Sequence, residues 1–235
     1  MKDVSCPQGT SRLLGLGVLV VFLGALGGCQ GGGGVVPKEK VDLFNGRDFT
    51  GWKLHVDEEG VNVNDIWSVK NGAINCKGVP NGYMRTEAKY RDYVLHVEWR
   101  WAGEPTNSGV LLHSSGKDKV WPRTIEAQLK AGSAGDFVLI NGTGVTTDDG
   151  KYRRNVEETY VVVDKKEDSS EKPAGQWNAY DIICKGDTIT LYVNEVLQNK
   201  GTAATDSSGW ICLQSEGSEI EFRNIYIKPI DLYFQ

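Results

Sequence analysis

Residues 93–101 read Tyr93-Val94-Leu95-His96-Val97-Glu98-Trp99-Arg100-Trp101. Neighbouring side chains of a strand point to opposite faces of a sheet, so Leu95, Val97, Trp99 and Trp101 share one side while His96, Glu98 and Arg100 share the other. This alternation predicts a strand with one face in a core and one in water. Outward from it the same signal recurs in short runs rich in Val, Ile, Tyr and Trp: 66–69 with 73–76, 109–113, 125–129, 137–140, 159–163, 178–184, 188–193, 209–213 and 221–227. Helical periodicity is almost absent. About ten short strands predict an all-β domain, built as a two-sheet sandwich or a barrel. Lys70-Asn71-Gly72 and Cys184-Lys185-Gly186-Asp187 read as hairpin turns. The polar stretch 143–158 reads as a long loop and a candidate rim of a binding face, and the charged stretch 165–173 as a solvated loop.

The N-terminal segment carries Lys2 and Arg12 ahead of an apolar run at 13–26 that is too short and glycine-rich for a comfortable membrane span. It reads as a signal peptide. Its end, Leu26-Gly27-Gly28-Cys29, resembles the bacterial lipobox, which would make Cys29 a lipidated mature N-terminus; an ordinary secretory peptide with an incidental cysteine is the alternative. Residues 30–34 are nearly all glycine, a flexible tether. The expected organisation is a leader at 1–28, a lipidated cysteine and tether at 29–40, and one β-sandwich domain at 41–230. The expected place is the bacterial cell envelope, on its periplasmic or surface side, with a lipid anchor that holds the protein on a membrane without spanning it.

The chain has 31 Asp and Glu against 26 Lys and Arg, a formal net charge of −5, with both signs interspersed. No basic block or basic aromatic stripe is present, which excludes nucleic acid as a partner. Beyond Cys6 and Cys29 the cysteines are Cys76, Cys184 and Cys212, without CxxC spacing, so a metal knuckle is excluded and at most one disulfide, such as Cys184 with Cys212, can form. Nothing in the sequence sets an oligomeric state.

Several ordered motifs carry a resemblance: Leu43-Phe44-Asn45-Gly46-Arg47-Asp48 with Gly51-Trp52, Trp67-Ser68-Val69, Asn71-Gly72, Asn107-Ser108-Gly109-Val110, Ile125-Glu126-Ala127-Gln128, Gly175-Gln176-Trp177-Asn178 and Phe222-Arg223-Asn224-Ile225-Tyr226-Ile227-Lys228. In this order they resemble the 3-keto-disaccharide hydrolase family, also described as 3-keto-glucoside 1,2-lyases and 3-keto-2-hydroxy-glucal hydratases, over residues 41–228. The resemblance implies a concanavalin A-like jelly-roll sandwich, a sugar site on the concave sheet and a carbohydrate substrate. Two departures, His113 where many relatives carry arginine and Trp121-Pro122-Arg123 where a Gly-Tyr pair is common, bear on substrate choice more than on fold.

A ketone at C3 of a sugar acidifies the hydrogen on C2, so the bond at C1 can leave by elimination once that proton is taken. Such a site needs a base near C2, a hydrogen-bonding or positive group at the enolate oxygen, and an acid for the departing oxygen. An ordinary glycosidase instead flanks the bond with two carboxylates at a set separation. Glu126 is the first candidate, as general base or as ligand of a divalent metal ion that would polarise the ketone; a surface ion pair is the alternative. His113 is the second, as base, acid or metal ligand, since imidazole titrates near neutral pH. Gln128, which shares a face with Glu126, is a candidate hydroxyl ligand. Glu98 and Arg100 could orient sugar hydroxyls or close an ion pair with each other, and Arg85 and Arg123 are candidate clamps or loop charges. Asn107 is a candidate ligand whose simpler role is turn chemistry before Gly109. Trp121 reads as a stacking platform, whereas Trp52, Trp67, Trp99, Trp177 and Trp210 read as core.

Overall fold

A computed structural model describes residues 33–156 and 160–232. The expected leader at 1–28, the lipidation site Cys29 and the tether up to residue 32 lie outside the described residues. In chain order the strands are β1 (Val41–Asp42), β2 (Trp52–Val56), β3 (Trp67–Lys70), β4 (Ala73–Cys76), β5 (Gly82–Thr86), β6 (Tyr93–Trp101), β7 (Gly109–Ser115), β8 (Arg123–Gln128) and β9 (Phe137–Ile140). They continue with β10 (Gly144–Thr146), β11 (Tyr152–Arg154), β12 (Tyr160–Val163), β13 (Asn178–Lys185), β14 (Thr188–Val193), β15 (Val196–Gly201), β16 (Trp210–Ser215) and β17 (Ile220–Lys228).

Two antiparallel sheets form the sandwich. The larger runs β15-β14-β13-β6-β17-β4-β3 with β1 on β17, and the other runs β12-β9-β8-β7-β16-β5-β2. Between them lies one apolar core to which β6 gives Leu95, Val97, Trp99 and Trp101, as its alternation requires, and β8 gives Ile125 and Ala127. Trp99 packs on Tyr180 of the neighbouring strand at 5.4 Å between ring centroids. Both expected hairpins form: Asn71 and Gly72 take positive φ between paired Lys70 and Ala73, and Gly186 does so between Lys185 and Thr188.

Four expectations change. The stretch 143–158 is not all loop, because Gly144–Thr146 and Tyr152–Arg154 form a small hairpin held by reciprocal Thr146–Thr202 backbone bonds. Its polar residues surround Val145, which alone of the pair enters the core. Cys76, Cys184 and Cys212 are free and buried; Cys184 faces the core while Cys212 sits outside it with Tyr83 and Leu111, so no bridge joins them. Trp177 and Trp210 are only half-buried. Arg100 and Arg223 lie over the ring of Trp177, and Arg85 and Lys89 over that of Trp210.

Candidate active site

Because Ile125, Ala127 and Leu129 belong to the core, period-two alternation turns Glu126 and Gln128 to the outer face of the seven-stranded sheet. There Glu126 pairs across the strands with Leu111 of β7 on one side and Val138 of β9 on the other. Its side chain lies over Gly109: a Cβ at that residue would stand 2.1 Å from Glu126 Oε1 and 2.7 Å from Cδ. Gly109 has no positive φ, so the motif Asn107-Ser108-Gly109 needs its glycine for space and not for a turn. Ser108 likewise serves the sheet, its hydroxyl donating to the Gln214 carbonyl of β16 at 2.9 Å.

Glu126 is 3 % exposed, and no hydrogen bond reaches its carboxyl among the described residues. Burial raises it well above the usual carboxylate range, and the nearby negative charge of Glu216 adds to the rise. Burial thus favours its protonated form over its carboxylate. Glu216 follows directly on β16 and is also raised by burial, with the Asn107 amide pulling the other way. Gln128 is oriented without ambiguity: its Oε1 accepts from the Leu129 and Lys130 N–H groups, each at 3.0 Å, which leaves its NH2 as the free donor.

These groups line one cavity of about 400 Å³. Glu126, Gln128, Asn107 and Glu216 form one part of its wall, and Lys130, Ser133, Asp136 and Asp164 another. Trp121, Val138, Ile140, Tyr160 and Val162 supply its apolar surface. Asp136 is raised by burial even though its Oδ1 accepts from Lys165 N at 2.8 Å. Trp121 belongs to the β7–β8 connection, which Asp118 fastens to Arg85 (2.7 and 3.1 Å) and to the Tyr83 hydroxyl (2.9 Å). Val120 N–H adds a bond to Asp57 at 2.8 Å.

Of the residues expected from sequence, the structure brings together Glu126, Gln128, Asn107 and Trp121. His113 lies elsewhere: a bulge between Leu112 and Ser115, with φ of 53° at His113, turns its ring inward against Tyr93 of the other sheet. Its Nδ1 donates to the Asp206 carbonyl at 2.8 Å, and its buried Nε2 has no partner. Burial lowers its affinity for a proton, so it is a neutral packed imidazole apart from the cavity.

Arg123 is taken up by Asp206 (2.7 and 3.2 Å) and the Asn141 carbonyl, and Arg85 by Asp118, so neither is free to clamp a sugar. Glu98 and Arg100 stand on the outer face of the eight-stranded sheet, across the sandwich from Glu126. They do not pair with each other: Glu98 holds Arg223 and Asn224, and Arg100 holds Glu221.

Sequence reasoning missed Glu216, Asp136 and Tyr160. Tyr160 alternates with Val162 on an edge strand where both are exposed, a signal available in the sequence; Glu216 has no local signal. As for the expected divalent ion, no group of three or more His, Cys, Asp or Glu side chains is placed to hold a metal among the described residues. Glu126 and His113 cannot share one, and Gln128 Oε1 is already occupied. The donor set does not fit such an ion, and no step below uses one.

The chain is a jelly-roll sandwich with a carboxyl-bearing cavity on one sheet, and the comparisons with known proteins place it in a family. Residues 39–228 match the 3-keto-alpha-glucoside-1,2-lyase-like domain, and the chain belongs to that glycan-acting family. A candidate glycosyl hydrolase from Parabacteroides distasonis ATCC 8503 is similar in fold (TM-score 0.60, 23 % identity, 82 % of this chain and 94 % of that one). So are a Bacillus licheniformis β-glucanase (0.54, 14 %, 85 % and 99 %) and the carbohydrate-binding module CBM66 of Bacillus subtilis (0.52, 12 %, 76 % and 95 %). No curated protein matches the sequence.

Proposed function

We propose that the chain is an enzyme that cleaves 3-keto-glycosides by removing the C2 proton and eliminating the group at C1, with water then adding across the resulting glucal. The observation that carries this reading is the buried Glu126 carboxyl, 3 % exposed and lining a cavity with Trp121, Tyr160 and the amides of Gln128 and Asn107, where burial favours its protonated form. A carboxylic acid held neutral can give a proton to a departing glycosidic oxygen, which ordinary exposed carboxylates cannot do at pH 7. The free NH2 of Gln128 is suited to hydrogen-bond the developing enolate oxygen or a hydroxyl. Trp121 and Tyr160 give the sugar apolar faces to rest on.

The test is incubation of the purified protein with alkyl 3-keto-glucosides of both anomers, following aglycone and 3-keto-2-hydroxy-glucal by mass, beside Glu126→Gln and a chelator arm. The reading expects release that the substitution abolishes and the chelator leaves intact. Sugar binding without release from either anomer would instead assign the cavity to carbohydrate binding alone.

We further propose that the mature protein is tethered to a bacterial envelope membrane through Cys29, on the support of its leader and glycine-rich segment. Cys29→Ser is expected to shift the protein from the membrane to the soluble fraction and to remove palmitate labelling. Unchanged membrane partition would refute the anchor.

A further inference from the structure

Elimination needs a base at C2, and Glu126, 3 % exposed in surroundings that favour its protonated form, is poorly suited to supply it. We propose that Glu216 is that base and that Glu126 beside it is the acid for the departing oxygen, an assignment that rests on the lyase reading above. Both carboxyls line the same cavity, and they are close enough for the charge on one to disfavour ionisation of the other. Their environments differ. Glu126 is enclosed between Leu111 and Val138 over Gly109 with no hydrogen bond among the described residues, whereas Glu216 keeps partial solvent access and has the Asn107 amide beside it. Two carboxyls with unequal surroundings divide into one acid and one base, and the better solvated Glu216 is the one that ionises first. The Ser108–Gln214 bond ties the start of β7 to the end of β16, the strand ends that Asn107 and Glu216 flank. The Asn107 Oδ1, buried without a partner, is a further polar atom at this spot.

The steps balance. The Glu216 carboxylate takes the C2 proton, the C–H electron pair becomes the C1–C2 double bond, the C1–O bond breaks, and the departing oxygen takes the Glu126 proton. The products are the aglycone alcohol and the 2-hydroxy-3-keto-glucal. In the return half a water gives a proton to the Glu126 carboxylate as its oxygen bonds C1, and C2 takes a proton from Glu216 after that carboxyl, open in part to solvent, has exchanged its proton with water. One water is consumed, both carboxyls are restored, and no oxidant or reductant is needed.

A 3-keto-C-glucoside, whose C1 substituent cannot leave, separates the two roles, because exchange of its C2 hydrogen with D2O needs the base alone. With folding checked by thermal melting, Glu216→Gln is expected to slow this exchange, and aglycone release from O-glycosides, by about 10²–10⁴-fold, while Glu126→Gln keeps exchange within roughly tenfold. Glu126→Gln should lose release of alkyl aglycones yet retain release of 4-nitrophenolate, which departs without a proton. Exchange at the wild-type rate in Glu216→Gln, or loss of exchange in Glu126→Gln alone, overturns the assignment while leaving the lyase reading intact. If Glu216→Gln does not fold, the same comparison is made with Glu216→Asp, and exchange at the wild-type rate in that folded variant also overturns it. Wild-type protein that neither exchanges nor releases overturns the lyase reading itself.

Discussion

At the scale of single residues, the site depends on one glycine and the carboxyl laid across it. A Cβ at Gly109 would meet Glu126 Oε1, Cδ and Cγ at 2.1, 2.7 and 2.9 Å, so the whole side chain would have to turn away. Gly109→Ala should therefore fold with a melting point near wild type and lose about 10²-fold in kcat/KM, the scale of a roughly 1 Å misplacement; unchanged kinetics would show that Glu126 need not sit there. The upward shift of Glu126 also has a stability consequence. Its folded pKa is raised above the unfolded one, so the protein suffers no penalty below the unfolded value and is progressively destabilised as pH rises from there through the folded value. Glu126→Gln, an uncharged isostere, should melt like wild type near pH 4 and above it at pH 8, measured by calorimetry; a parallel pH dependence of the two proteins would contradict the buried, protonated carboxyl. Glu126 and Gln128 were legible as a pair because alternation assigns faces without knowledge of the partner strands. His113 was not, because a bulge resets the alternation on β7 and no residue type announces it.

At the scale of elements, the connection between β7 and β8 acts as a strap. Asp118 binds Arg85 and Tyr83 on β5, Val120 N–H binds Asp57, and Trp121 at the far end forms part of the cavity wall. Cross-strand register puts Arg85, Cys212, Leu111 and Glu126 in one row, with Arg85 three strands, about 14 Å, from Glu126 at ordinary strand spacing. Arg85 thus anchors the strap and does not line the cavity. Asp118→Asn should loosen Trp121 and raise KM severalfold with kcat nearly unchanged, the pattern of lost uniform binding; an equal fall in kcat would place the strap in the chemistry instead. The Arg85 guanidinium first, and the Tyr83 hydroxyl with it, hold the Asp118 carboxyl below its usual range against the effect of burial. Its stabilisation is present above the unfolded carboxylate pKa and is lost as pH falls through the folded one. The hairpins at 70–73 and 184–188 were readable because Asn-Gly and Gly-Asp carry the turn geometry themselves. Strand β5 was not, since Gly82–Thr86 is buried on both faces and shows no alternation.

At the scale of the whole molecule, the sandwich was legible from strand count and alternation, and the family from motif order, but the sheet order was not. Glu216 reaches Glu126, 90 positions earlier in the chain, only because β16 inserts between β7 and β5. Sequence-distant antiparallel pairing leaves no local trace, which is why the second carboxyl of the cavity escaped notice while Glu98 and Arg100, with a clear strand pattern, proved to face the opposite side of the molecule. The central claim is that the bond at C1 breaks by way of C2 and not by direct displacement. Its most direct test is brief turnover of a 3-keto-glucoside in D2O with the position of the label read by NMR. The account predicts that the hydrated sugar product carries deuterium at C2 while recovered substrate does not. Product that retains its original C2 hydrogen would mean hydrolysis at C1 without elimination and would contradict it.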